Sequence, residues 1–229
     1  MRETNKLICW SKSREEGFDE AAERTYALLQ MLREHGEEVY PRYQGKRRKN
    51  KVPFEWNLEN FKKAFRKSGD KDSRDIGYMM WFLSTPEEKT QACIMFSNGT
   101  RSPLLQNTLK IQLSPNFSFY EEENIHNVEQ IFRKCIDRFD PYWAAVINTN
   151  NTSRPEYKES SLDECVHWLN YWGPEQVEEV GEEKIQKAPL LAVEKHDEGY
   201  LLKLQPSPIR SDEEEDFRRQ LNANRYFGW

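Results

Sequence analysis

The chain has 229 residues, with 34 Lys and Arg against 39 Asp and Glu, which gives a formal net charge of −5. That length suits one domain or two small ones. Aliphatic residues are few, but seven Trp, ten Tyr and twelve Phe supply large apolar side chains for a core. The composition therefore excludes a disordered chain and predicts a compact fold, without indicating an activity.

No stretch approaches the roughly 20 apolar residues that are needed to cross a bilayer. The start of the chain, residues 1–6, lacks the apolar core of a signal peptide. We therefore expect a cytoplasmic protein that does not interact with a membrane.

The residues that usually carry catalysis or bind metals form no familiar motif. The four cysteines stand singly in apolar surroundings, which predicts buried thiols; they are Cys9, Cys93, Cys135 and Cys165. No two of the four histidines have helical ligand spacing, and there is no Gly-rich phosphate loop or Gly-x-Ser-x-Gly elbow. We expect no catalytic residue, no cofactor and no metal site.

Two weaker catalytic signals have simpler interpretations. The Glu-x-Lys spacing of some nucleases occurs at 87–89 and 182–184, but such triplets are frequent in a chain this rich in charge. His167 lies beside Trp168, close to Tyr171 and Trp172 in sequence. A core histidine bonded to the backbone is the favoured interpretation there, ahead of a reactive imidazole.

The first half of the chain predicts helices and then a sheet. A short apolar run at 7–10 indicates a strand, and apolar residues three and four apart predict a helix over 19–34 that Gly36 ends. After a long loop, Asn57 can cap a second helix through about residue 66. Strand-length runs follow at 78–83, 91–96 and 108–113, which predict an antiparallel meander.

The second half continues this mixture. The predicted elements are a helix over 124–139, a strand over 142–149, a short strand within 166–173, a helical turn over 175–181, a hairpin of 190–194 with 200–204, and a last helix over 212–224. Ser211 and Glu214 have the spacing of a capping box for that last helix. We therefore predict a single domain over 1–229 of the α+β class, with helices packed against a mostly antiparallel sheet.

Charge is distributed unevenly along the chain. Residues 41–71 contain 11 cations and 3 anions, a net charge of 11 − 3 = +8, whereas 155–198 contain 4 cations and 12 anions, a net charge of 4 − 12 = −8. An acidic face of this size can steer a cationic partner, although it can also simply keep the surface hydrated. The basic run at 46–51 could hold a nucleic-acid backbone, but no stacking aromatics recur near it and the chain is acidic, so nucleic-acid binding is disfavoured.

Short sequence elements, each occurring once, follow one another along nearly the whole chain in an order that is similar to that of a known family. The elements are Cys9-Trp10 followed by Arg14-Glu15-Glu16, Gly77 with Trp81, Tyr142-Trp143, and the segments 166–173, 197–202 and 221–226. Together they resemble the bacterial polymorphic-toxin immunity proteins, and within them the family called immunity protein 52. The resemblance implies an α+β fold, no enzymatic activity and tight binding to one cognate toxin, often a nuclease.

On that interpretation the acidic second half of the chain is the contact surface. The predicted contact residues are Asp163, Glu164, Tyr171, Trp172, Glu175, Glu178, Glu179, Glu182 and Glu183, in which any exposed part of the two aromatic residues would serve as an anchor. The alternative is a nucleic-acid-binding or Mg²⁺-dependent nucleic-acid-processing protein that uses the 46–51 loop. A scaffold or adaptor without a toxin partner also fits the sequence.

Overall fold

The computed structural model describes residues 4–45, 52–69, 75–87, 91–114, 121, 124–154 and 162–229. Its strands are β1 (Asn5–Ser11), β2 (Tyr43–Gln44), β3 (Val52–Pro53), β4 (Tyr78–Leu83), β5 (Cys93–Asn98), β6 (Asn107–Leu113), β7 (Trp143–Asn148), β8 (Leu169–Trp172), β9 (Ala192–His196) and β10 (Gly199–Lys203). Its α-helices are α1 (Phe18–Glu34), α2 (Leu58–Ser68), α3 (Ile125–Phe139), α4 (Pro174–Val180), α5 (Glu182–Gln186) and α6 (Glu214–Phe227).

All ten strands form one sheet in the order β3-β2-β4-β5-β6-β1-β7-β8-β10-β9, and every neighbouring pair is antiparallel. The α+β class and the β4-β5-β6 meander that the sequence predicts are confirmed. The first strand of the chain lies in the middle of the sheet, between β6 and β7, and joins its two halves.

One face of the sheet is covered by helices α1, α2 and α3. Strand alternation places Cys9, Phe96 and Val146 on this first face, where all three are fully buried. Helix α2 contributes Phe61 and Phe65, whose rings lie 6.4 and 6.1 Å from the ring of Phe96. The aromatic residues that compensate for the low aliphatic content are therefore packed between these helices and the sheet.

The second face is covered by helices over β7, β8 and β10. The register aligns Trp143, Trp172 and Tyr200 on this face. The ring of Trp172 packs edge-on against Phe227 of α6, with ring centroids 4.8 Å apart. Tyr200 donates a hydrogen bond to Glu182 of α5. Over β4, β5 and β6 the same face carries an open groove.

Both outer strands of the sheet are protected against pairing. Strand β3 is two residues long and contains Pro53, which has no N–H to donate. Strand β9 carries Glu194 and Lys195, which form ion pairs with Arg133 and Glu182. Charged and proline residues of this kind are typical of natural sheet edges.

Two local expectations need correction. Helix α6 begins at Glu214 and not at 212, and its N-cap residue Glu213 makes no side-chain capping bond, so the Ser211–Glu214 capping box is wrong. All four cysteines are free and three are buried, but Cys93 is partly exposed on β5.

Among the described residues, no helix is both long enough and apolar enough to cross a membrane.

Candidate partner-binding surface

Four of the predicted contact carboxylates line a single cleft. Asp163, Glu164, Glu175 and Glu179 surround a volume of about 270 Å³ together with Tyr142, Gln176, Val180 and Trp229. We call these eight residues the acidic cleft. Carboxylates brought together in a concave site concentrate negative potential, and this favours a cationic ligand.

The acidic cleft is built where α4 meets the start of β7. Gly173 donates its N–H to the carbonyl oxygen of Tyr142 at 2.8 Å, and a Cβ atom at Gly173 would lie 2.8 Å from that same oxygen. Only glycine allows this approach, which sets α4 beside Tyr142. The Gln176 side chain donates to the carbonyl oxygen of Asp163 at 2.7 Å, and this bond holds the 3₁₀ turn Leu162–Glu164 against the helix.

Tyr142 and Trp229 form the aromatic walls of the acidic cleft. Burial, and after it the negative charge of Asp163, raises the pKa of Tyr142 to about 12. The phenol hydroxyl donates to the side-chain oxygen of Gln106 at 2.6 Å. The ring of Trp229 packs against Trp172 and Phe227 with ring centroids 5.3 Å apart in each case.

The other predicted carboxylates lie outside the acidic cleft. Glu178 is exposed on α4 but does not line it. The hydroxyl of Tyr200, and after it the charge of Lys195, lowers the pKa of Glu182, which binds both groups. Glu183 pairs with Lys187 one turn along α5. Glu182 thus joins α5 to β9 and β10, whereas the exposed Glu183–Lys187 pair contributes little to stability, and neither glutamate lines the cleft.

Neither predicted aromatic anchor is available to a partner. Trp172 is fully buried beneath α6, and Tyr171 is 7% exposed. Tyr171 points to the first face of the sheet, where its ring packs edge-on against His196 at 6.0 Å. Both side chains belong to the core, so the structure leaves almost no exposed part of Tyr171 or Trp172 to serve as the predicted anchor.

An apolar groove adjoins the acidic cleft on the second face of the sheet. Its volume is about 840 Å³. We call it the apolar groove; it is lined by Lys12, Ser13, Met79, Met95, Ser97, Pro103, Leu104, Leu105, Gln106, Thr108 and Tyr142. Tyr142 lines both sites. Lys12, from the groove, forms an ion pair with Glu175 of the cleft.

Sequence reasoning missed this groove, although one signal was present. The segment 102–105 reads Ser-Pro-Leu-Leu between two predicted strands, where a turn would ordinarily be polar. The alternation of β4 and β5 hid Met79 and Met95, because methionine is also an ordinary core residue. A pair of leucines within a turn was the one indication that this surface is apolar.

The candidate catalytic and metal-binding residues lie in the core, at helix contacts or outside the described residues. His167 is buried and its Nε2 lies 3.0 Å from the carbonyl oxygen of Leu162, so the prediction of a core histidine bonded to the backbone is confirmed. Lys184, the lysine of the 182–184 triplet, donates to the carbonyl oxygen of Phe227 at 2.9 Å, and this bond joins α5 to α6.

The basic run 46–51 and the end of the 87–89 triplet lie outside the described residues. Within the described ranges no three His, Cys, Asp or Glu side chains are grouped to hold a metal ion.

Comparison with known proteins identifies a similar fold. The chain resembles a solved structure of a type VI secretion system (T6SS) protein from Pseudomonas aeruginosa, with a TM-score of 0.66 and 12% sequence identity over 98% of this chain and 72% of the other. At that identity the likeness shows a shared fold. No protein-family model matches the chain and no curated protein does, so the resemblance to immunity protein 52 gains no support from a family model.

Proposed function

We propose that this protein is an immunity protein that binds a cognate bacterial toxin in the cytoplasm and neutralises it by forming a stoichiometric complex, without catalysis of its own. The observation that carries the proposal is the acidic cleft, in which Asp163, Glu164, Glu175 and Glu179 converge. A toxin that acts on nucleic acid presents a cationic substrate groove, and a concave negative surface is complementary to it.

The acidic cleft and the apolar groove would affect different rates of such a complex. Charge around the acidic cleft would raise the association rate and select cationic partners, an effect that weakens as salt rises. Apolar side chains in the adjoining groove would slow dissociation once water is excluded. The shared fold with a T6SS protein is compatible with a secreted effector as the partner.

The direct test uses the protein encoded by the gene next to this one. Co-expression of the two should restore growth to cells that the neighbour alone kills, and the purified pair should form a one-to-one complex by size-exclusion chromatography with light scattering. Absence of a complex at micromolar concentration would contradict the proposal. Salt-dependent binding to DNA or RNA in its place would support the nucleic-acid alternative.

Charge reversal in the acidic cleft tests its role in that complex. The double substitution Glu175→Lys/Glu179→Lys should slow association about ten-fold at low salt and less at high salt, because steering is screened by ions. Stopped-flow or biolayer interferometry measures this rate.

The matched control is Glu183→Lys/Glu198→Lys, which changes the net charge equally at two exposed residues outside the cleft. Its association rate should stay within about two-fold of the wild-type rate, since steering depends on where the charge lies. Equal slowing by both pairs would mean that total charge matters and the cleft does not.

A further inference from the structure

The apolar groove combines exposed hydrophobic side chains with a fixed backbone. Leu104 is 92% exposed, Leu105 42% and Met79 40%. Single exposed hydrophobic residues are ordinary on protein surfaces, but a contiguous group usually marks a binding surface. These three line one concavity, and Met95 and Tyr142 lie beside them.

The loop that displays the leucines is held at both ends. At its start, Thr100 donates its hydroxyl to the carbonyl oxygen of Asp75 at 2.7 Å. Within it, the N–H of Leu105 donates to the carbonyl oxygen of Ser102 at 3.1 Å. At its end, Asn107 donates to the carbonyl oxygen of Lys12 at 2.7 Å. A backbone fixed before binding lowers the entropy cost of association, so the leucines are presented in a conformation ready for contact.

The charge beside the groove indicates what kind of partner fits it. Lys12 lies at the groove and its ammonium group pairs with Glu175, with side chains 62% and 69% exposed. Such an exposed ion pair contributes little to stability, so a cation from a partner can replace Lys12 at small cost. Beyond Glu175 the acidic cleft offers three further carboxylates, from Asp163, Glu164 and Glu179.

We infer that the apolar groove receives an apolar side chain of the cationic toxin, next to a Lys or Arg of the same segment that displaces Lys12 from Glu175. This inference rests on the proposed function and names the part of the partner that docks. Recognition then needs two neighbouring features on the toxin, an apolar residue for the groove and a cation for Glu175. Ordinary basic proteins that lack this pairing bind more weakly, because they leave the leucines in water and gain no free energy from burying them.

The test compares exposed variants for binding to the protein encoded by the neighbouring gene. Leu104→Ser/Leu105→Ser should weaken affinity at least about ten-fold, mainly through faster dissociation, because the anchor contact is lost. Lys12→Met should raise the association rate two-fold or more, because Glu175 becomes free for the partner's cation. Leu191→Ser, 53% exposed on another part of the surface, is the matched control and should leave both rates unchanged.

The outcomes separate this inference from the proposed function. A complex that forms and neutralises the toxin, with leucine-variant rates equal to those of the wild type, overturns the groove inference and leaves the immunity role standing. Failure of the wild-type protein to bind at all overturns the immunity role. If light scattering shows a wild-type dimer that the leucine variant lacks, the groove is filled by a second copy of this chain, and the inference is wrong.

Discussion

His167 is the most strongly perturbed histidine in the described part of the chain. Burial lowers its pKa to about 4, although the bond to the carbonyl oxygen of Leu162 opposes this shift. At neutral pH the ring is therefore uncharged in the folded protein. Because Nε2 donates to that carbonyl, the proton of the neutral ring is on Nε2.

The lowered pKa predicts a loss of stability in mild acid. An unfolded histidine titrates near pH 6.5, so between pH 6.5 and about 4 the unfolded state binds a proton that the folded state does not. The free energy of unfolding is then unaffected by His167 above pH 6.5 and falls as the pH drops toward 4, by up to about 3 kcal/mol. Urea denaturation at a series of pH values measures this fall.

Two glutamine variants isolate the contribution of this one ring. His167→Gln cannot titrate, so its stability should fall less steeply between pH 6.5 and 4.5 than that of the wild type. His126→Gln alters an exposed histidine and should keep the wild-type slope. A His167→Gln curve parallel to the wild-type curve would show that other groups cause the acid loss.

At the level of single residues, the sequence predicts that this region is acidic, but it does not predict which of its side chains line the cleft. A run of carboxylates shows that a region is acidic, and Glu175 and Glu179 do converge with Asp163 and Glu164. The run does not show which side chains point together, because that depends on helix phase and on neighbouring elements. Trp172 and Tyr171 illustrate this limit, since their burial follows from which face of the sheet α3 and α6 cover.

Two asparagines at helix starts allow the value of a cap to be measured. Asn57 accepts a hydrogen bond from the N–H of Asn60 at 2.8 Å and so caps α2, whereas Asn124 precedes α3 without a side-chain capping bond. Asn57→Ala should therefore lower the free energy of unfolding by about 1 kcal/mol. Asn124→Ala is the matched control and should cost much less.

Chemical denaturation followed by circular dichroism gives both values. Equal losses from the two substitutions would show that the capping bond contributes nothing beyond the general effect of removing asparagine at that position.

At the level of elements, helices with a long apolar stripe were predictable and very short elements were not. The stripe of α3 was visible in the sequence, and the helix follows it from Ile125 to Phe139. Strands β2 and β3 have two residues each, too few to show any period. Strand β2 forms because β4 offers it a partner, and β3 in turn pairs with β2. The Ser211–Glu214 spacing was misleading because capping residues also occur in ordinary loops.

The continuous sheet predicts how the whole molecule unfolds. Because β1 pairs with both β6 and β7, the two halves of the sheet can separate only by breaking one of its two ladders of backbone hydrogen bonds. We expect one transition, seen at the same denaturant concentration by circular dichroism and by tryptophan fluorescence. Two separate transitions would contradict the single-domain prediction.

Matched core substitutions in the two halves sharpen this test. Ile94→Val in β5 and Ile185→Val in α5 each remove one methylene group from a fully buried side chain, and each should cost about 1 kcal/mol. Both variants should move both spectroscopic signals together. A substitution that moved one signal and left the other in place would show that the halves unfold independently.

At the level of the whole molecule, the sequence predicts part of the strand order. Local signals predicted the β4-β5-β6 meander and the β9-β10 hairpin, because short connections join neighbouring strands. The central position of β1 depends on contacts between residues far apart in the chain. No local period records such a pairing, so the division of the second face into a covered half and a grooved half could not be predicted.

The protected edges of the sheet have a consequence for how recognition can change. With Pro53 at one flank and the paired charges of β9 at the other, neither edge favours the addition of a strand, so a partner of the proposed kind would contact side chains. Positions such as Leu104 and Glu179 can therefore mutate without disturbing the hydrogen-bonded frame. On the proposed function, substitutions at such exposed positions change which partner is bound and leave the sheet intact.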